Sequence, residues 1–140
     1  MKLHIVNPEQ DTIEGYERVD VVDGLIDLSA YADNECDVIL ASDSLNGMSL
    51  EQAHQAVYQM SKKMRGNAKL IVGGLDIRLI ARHIIRGGWN TQEANQNIFA
   101  NSSCLDVNYT RNLVASCGLS IDSTRVLGLS YEIEATRKLG

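Results

Sequence analysis

At 140 residues the chain fits a single domain, 1–140, that can bury a core of its own with little material to spare for insertions. Its 44% hydrophobic and 22% charged residues describe ordinary globular protein, and the net charge of −5 leaves no basic footprint for general nucleic-acid binding. Three cysteines without a CxxC pair, no apolar run of bilayer length and no signal-peptide pattern lead to the expectation of a soluble cytoplasmic protein with reduced, core-filling thiols.

The first predicted element is a short strand at 2–6. Asn7-Pro8 stops it, because proline has no amide hydrogen and pushes the residue before it toward extended geometry. Residues 9–14 are polar and too few for a full helix, so a loop or single turn is expected before a second strand at 18–22. A weaker strand candidate follows at 24–28, and 31–35 reads as loop.

The stretch 36–75 carries the clearest pattern. An apolar run at 37–42 and a second at 69–72 flank a polar turn, an amphipathic segment at 50–64 and a turn at 65–67. Leu50, Ala53, Val57, Met60 and Met64 recur at helical spacing on one face, and Ser49 with Gln52 has the spacing of a capping box. Short, nearly continuous apolar strands joined by a crossover helix predict a right-handed βαβ unit in a parallel sheet covered by helices.

Beyond Val72, Gly73-Gly74 reads as a strand-to-helix turn and Asp76 as a helix N-cap. Ile77, Ile80, Ala81, Ile84 and Ile85 form one apolar stripe, ended by Gly87-Gly88. Asn90 with Glu93 repeats the cap pattern for a short helix reaching about Phe99, and a further helix is expected over 106–116, with Gly118 at its end. Gly128 separates two β-like runs, 120–127 and 130–135, which predicts a hairpin whose last strand runs antiparallel to the others.

Taken in this order, the residues resemble the compact class I methyltransferases that use S-adenosylmethionine (SAM), the type 11-like branch. Members typically read Lys-Leu-Asn-Leu-Gly-x-Gly, Pro-Gly-Trp-x-x-Val-Asp, Asp-Leu and Asp-x-Ile-x-Ala-Ser-His-x-Leu-Glu-His. Here the matching stretches are Lys2-Leu3-His4-Ile5, Gly15-Tyr16-Glu17-Arg18-Val19-Asp20, Asp27-Leu28 and Asp37-Val38-Ile39-Leu40-Ala41-Ser42-Asp43-Ser44-Leu45-Asn46-Gly47. Lys69-Leu70-Ile71-Val72 and Leu75-Asp76-Ile77 are similar to the family's later strand and its Pro-Asp-Leu. The resemblance implies a three-layer Rossmann-like α/β fold with a mostly parallel sheet ending in an antiparallel hairpin.

It also implies a cofactor, SAM, and positions for it. Asp20 matches the acid that takes the ribose hydroxyls, Asp27 with Leu28 the pair beside the adenine, and Ser42 with Asp43 the crevice at the end of the central strand. The departures are at Val6-Asn7-Pro8, where the family has glycines that let the backbone approach the methionine part of SAM, and at Asp43 and Asn46-Gly47, where it has His and Glu-His. Those replacements favour a relative with weakened or lost catalysis that acts as a binding or partner subunit, against the alternative of an active methyltransferase on an unknown acceptor. A protein partner or a homo-oligomer is compatible with that reading, and no catalytic residue is assigned.

The remaining chemistry-bearing residues have plainer readings. Asp43 fits a loop aspartate capping the next turn, and His4 a structural histidine within a strand. His54 and His83 are expected on solvated helix faces, too scattered for a metal site, and Cys104 and Cys117 lack a neighbouring histidine that would activate a thiol. Arg78, Arg82 and Arg86 recur every four residues on one helical face, a solvated stripe in the plain reading and an anionic partner site in the sharper one.

Overall fold

The computed structural model describes residues 1–138. Its apolar runs form β1 (Lys2–Val6), β2 (Glu17–Asp20), β3 (Cys36–Ala41), β4 (Met64–Leu75), β5 (Ser120–Leu127) and β6 (Ser130–Thr136). They make one six-stranded sheet in the order β2-β1-β3-β4-β6-β5. β1, β2, β3 and β4 are mutually parallel, and β6 runs antiparallel between β4 and β5, as the expected terminal hairpin requires.

The helices begin where their capping residues stand. Ser49 and Gln52 close a reciprocal capping box on α1 (Leu50–Lys63), and Asn90 with Glu93 does the same for α3 (Thr91–Phe99). Asp76 caps α2 (Ile77–Ile85) and Asp106 caps α4 (Val107–Ser116). Gly118, at φ 85°, takes the left-handed position just past α4.

One face of the sheet holds the core. Leu3, Ile5, Ile39, Leu70, Val72 and Ile133 are wholly buried there, packed with Val57 and Met60 of α1 and Leu113 and Val114 of α4. Each such side chain contributes about 1.5–3 kcal/mol. On the other face His4 alternates with Leu3 and Ile5, and its cover is the β1–β2 link. The Ile13 amide donates to His4 Nδ1 at 3.3 Å, and the Tyr16 ring meets the imidazole edge-on at 6.2 Å. That link is a turn-rich loop, as its composition predicted, while Val38, Leu40 and Ile71 on the neighbouring strands stay half-buried.

Several boundaries differ from expectation, beginning with β2, which ends at Asp20 where 18–22 was expected. Residues 24–28 form no strand, because Asp23 and Gly24, at φ 53° and 76°, reverse the chain in a two-residue turn that bonds Val22 to Leu25 in both directions. Met64 leaves the helix and pairs with Cys36, so β4 begins there and runs 12 residues. The expected turn at 65–67 and the Gly73-Gly74 pair both lie inside that strand. The Asn67 amide donates to the Arg137 carbonyl at 2.7 Å, so pairing with the end of β6 overrides the weak strand propensity of Arg-Gly-Asn.

Candidate functional site at the strand carboxyl ends

The chain leaves β1 toward β2 on one side and returns to β3 on the other, which makes the gap between the carboxyl ends of β1 and β3 the place where open α/β sheets bind ligands. A cleft of about 590 Å³ opens there. Asn7, Pro8 and Glu9 line it from the end of β1, and Val21, Asp23 and Gly24 from beyond β2. Asn46, Gly47 and Gln52 form a third side, and Ala100, Asn101 and Ser102, in the link between α3 and α4, close it.

Asn46 organises this cleft. Its carbonyl accepts the Ser102 amide at 2.8 Å, and its Oδ1 accepts the Leu75 amide at 3.2 Å. The side chain fits because Gly74 has no β-carbon: one placed there would lie 2.5 Å from Asn46 Oδ1. Gly24 likewise makes room for the Gln52 amide, whose Nε2 donates to the Asp23 carbonyl at 3.2 Å. Glu9 and Asp23 are the charged groups on the lining, and among the described residues no Lys, Arg or His joins them there. The cleft therefore suits cations and hydrogen-bonding groups and disfavours a phosphate.

The end of β1 is filled. Val6 is wholly buried. Asn7 turns across the gap: its amide donates to Gln10 Oε1 at 2.9 Å and its Nδ2 to the Asp43 carbonyl at 3.4 Å. Its Oδ1 lies 3.0 Å from where a β-carbon on Gly47 would sit.

The residues picked out by the family resemblance are spread over the molecule. Asp20 is exposed at the end of β2 and is held by Arg18, Nε to Oδ1 at 2.7 Å. The same guanidinium reaches the carbonyls of Gln10, Asn7 and Pro8, so it fastens the β1–β2 loop. Ser42 is half-buried and Asp43 exposed, both just past β3, and Asp43 meets Asn7 through its carbonyl. Asp27 and Leu28 line a separate cavity of about 340 Å³ with Lys62 and Lys63, at the opposite end of the sheet, where α1 hands over to β4. Hydrogen bonds from Ser29 hold the Asp27 carboxyl below its usual range. None of the five lines the cleft.

The acids that do line it, Glu9 and Asp23, were not singled out from the sequence, and only Asp23 carries a local signal. Its signal is the Asp-Gly pair after an apolar run, the strongest short-range sign of a tight turn. Burial pushes the thiols of Cys36, Cys104 and Cys117 up, so they remain protonated. His4 is pushed down by burial and by Arg18, and it accepts from Ile13 as a structural histidine would. Among the described residues no cluster of His, Cys, Asp or Glu could hold a metal, and no helix is long and apolar enough to cross a membrane.

No protein-family profile and no curated protein matches the chain. Solved structures do. A SAM-dependent methyltransferase from Methanosarcina mazei superposes with a TM-score of 0.63 at 13% identity, covering 96% of this chain and 74% of that one. The PH0226 protein of Pyrococcus horikoshii gives 0.62 at 15%, covering 89% and 60%. A Haloferax volcanii complex between the Trm112 methyltransferase activator and a putative methyltransferase gives 0.65 at 9%, covering 93% and 65%. The chain thus spans less than two thirds of the length of the last two. The sheet order, the antiparallel β6 and these superpositions give one conclusion: the chain has the class I methyltransferase-like, Rossmann-like α/β fold.

Proposed function

We propose that the chain is a divergent methyltransferase-like protein whose cofactor loop is altered, whose catalysis is weakened or lost, and which works as a binding or partner subunit. The observation that carries this reading is Asn7. Its side chain crosses from β1 to the Asp43 carbonyl and the Gly47 backbone, in the gap where the family's glycines leave SAM a bare main chain. Pro8 removes a donor from the same loop, and Val6 leaves no hollow beneath it. A bound SAM would have to displace Asn7 and break its bond to Asp43, so the β1 end does not fit the cofactor as it stands. One similar structure pairs a putative methyltransferase with the Trm112 activator, a precedent for a protein partner on this fold.

An active SAM-dependent methyltransferase is the second reading, and the cleft favours it. Its volume lies within the roughly 300–1,000 Å³ of small-molecule sites. The carboxylates of Glu9 and Asp23 on its lining suit the sulfonium and ammonium of SAM. Under that reading Asp23 is the acid that meets the cofactor, ahead of Asp20, which Arg18 neutralises, and ahead of Asp27, Leu28, Ser42 and Asp43.

Titrating SAM into the wild type and into Asn7→Gly, by calorimetry or thermal shift, separates the two. Ligand at a hundred times its dissociation constant adds about 2.7 kcal/mol of stability to a protein that binds it. The proposal expects a wild type silent at roughly millimolar SAM and a gain of binding on removing the Asn7 side chain. Saturation of the wild type at micromolar SAM, abolished by Asp23→Ala, would establish the active enzyme instead.

A further inference from the structure

We infer that the groove between α2 and the β5–β6 turn is a binding site for a phosphate group, distinct from the cleft at the strand ends. The inference starts from how this chain uses its arginines. It carries 18 acidic and 13 basic residues, so an arginine has acids in excess to pair with. Arg18 holds Asp20, Arg65 holds Asp37, Arg78 holds Asp106 and Arg125 holds Glu132. Arg111 donates to Thr124, and Arg137 to Asn34 and the carbonyls at the end of α1. Among the described residues Arg82 and Arg86 have no side-chain partner, and both line the same cavity of about 180 Å³.

The rest of that cavity fits an anion. His83 lines it between the two arginines, Leu79 and the Gly128-Leu129 turn complete it, and among the described residues no carboxylate lines it. The imidazole is held in place: Gly88 packs directly against it, where a β-carbon would collide, and the Trp89 ring meets it edge-on with centroids 5.1 Å apart. Two guanidiniums offset the roughly −2 charge of a phosphate monoester and match its oxygens in bidentate geometry. Arg78 belongs to the same stripe, yet it lies outside the groove and has its own acid.

Trp89 is the chain's single tryptophan, so its emission reports on the groove. Inorganic phosphate, titrated at constant ionic strength made up with sodium chloride, is expected to shift that emission saturably in the wild type and in Arg78→Gln. The double variant Arg82→Gln, Arg86→Gln alters exposed side chains, so circular dichroism should show the fold intact. It should bind at least about tenfold more weakly, a loss of about 1.4 kcal/mol. Glycerol phosphate competing with phosphate would point to a soluble ester, and phosphatidic acid vesicles binding more tightly than either would point to a lipid headgroup. Chloride acting as well as phosphate, or a double variant that binds like the wild type, would overturn the assignment.

Discussion

Asp76 and Val107 stand 31 residues apart in sequence, and the Val107 amide donates to Asp76 Oδ2 at 3.1 Å. The other oxygen, Oδ1, accepts the amides of Arg78 and Leu79 at 2.8 and 3.1 Å. One carboxylate, 4% exposed, therefore caps α2 and α4 together. It fixes the segment that rises from β4, passes through α3 and lines the cleft at Ala100, Asn101 and Ser102.

Replacing it should loosen both helix starts at once. A single N-cap is worth about 1 kcal/mol, and hydrogen bonds to a charged group somewhat more. Asp76→Ala is expected to lower stability by about 2–3 kcal/mol, while Asp76→Asn, which keeps one oxygen acceptor, should lose about half as much. Urea denaturation measures both. A loss below about 1 kcal/mol for Asp76→Ala would mean that one of the two caps contributes nothing.

Gly73 and Gly74 are adjacent in β4, yet they make room for different things. A β-carbon on Gly73 would strike the carbonyl oxygen of Tyr131 in β6 and lie 2.9 Å from that of Ser42 just past β3, both backbone atoms. On Gly74 it would meet only the amide tip of Asn46. Gly73→Ala should therefore cost about 1–3 kcal/mol or more, because the strands must shift. Gly74→Ala should cost about 1 kcal/mol, the price of freeing the Leu75 amide as Asn46 swings away. In a double-mutant cycle, Asn46→Ala should remove most of the Gly74→Ala penalty, since the clash partner is gone. Strict additivity of the two changes would contradict the geometry.

These relationships mark the limit of what the sequence discloses. Asp76 reads as an N-cap because Asp precedes an apolar stripe, and the cap is there. Its second oxygen serves a helix 31 residues further on, which local spacing cannot show. The capping boxes at Ser49 and Asn90, the crossover helix and the terminal hairpin are all local patterns, and all of them form. The site was harder to read, because a strand-end acid looks the same whether it faces a cleft or a neighbouring arginine. Arg18, two residues from Asp20 and on the same side of β2, takes that acid in an ion pair within the strand while fastening the β1–β2 loop, a contact whose loop half is not local. Asp23 enters the cleft only because Asp-Gly turns the chain, where the alternating apolar run suggested further strand.

Tyr131 and Thr110 share a buried hydrogen bond that links β6 to α4 by side chains, oxygen to oxygen at 2.6 Å. Burial pushes the Tyr131 phenol up from 10.0 to about 12, with the Thr110 bond opposing and the nearby Asp76 and Asp106 reinforcing the rise. The folded value lies above the unfolded one, so between these two values the folded chain binds more protons. Stability from this group is fully present below pH 10.0 and is lost as pH rises toward about 12. A shift of two units corresponds to about 3 kcal/mol over that window. Tyr131→Phe should cost about 1–2 kcal/mol at neutral pH, because Thr110 loses its partner, and should then decline less steeply than the wild type in alkali. Urea denaturation at neutral pH and at pH about 11 makes the comparison. Parallel decline of the two proteins would mean that the phenol ionises as easily folded as unfolded, and that the buried contact with Thr110 opens in alkali before the chain unfolds.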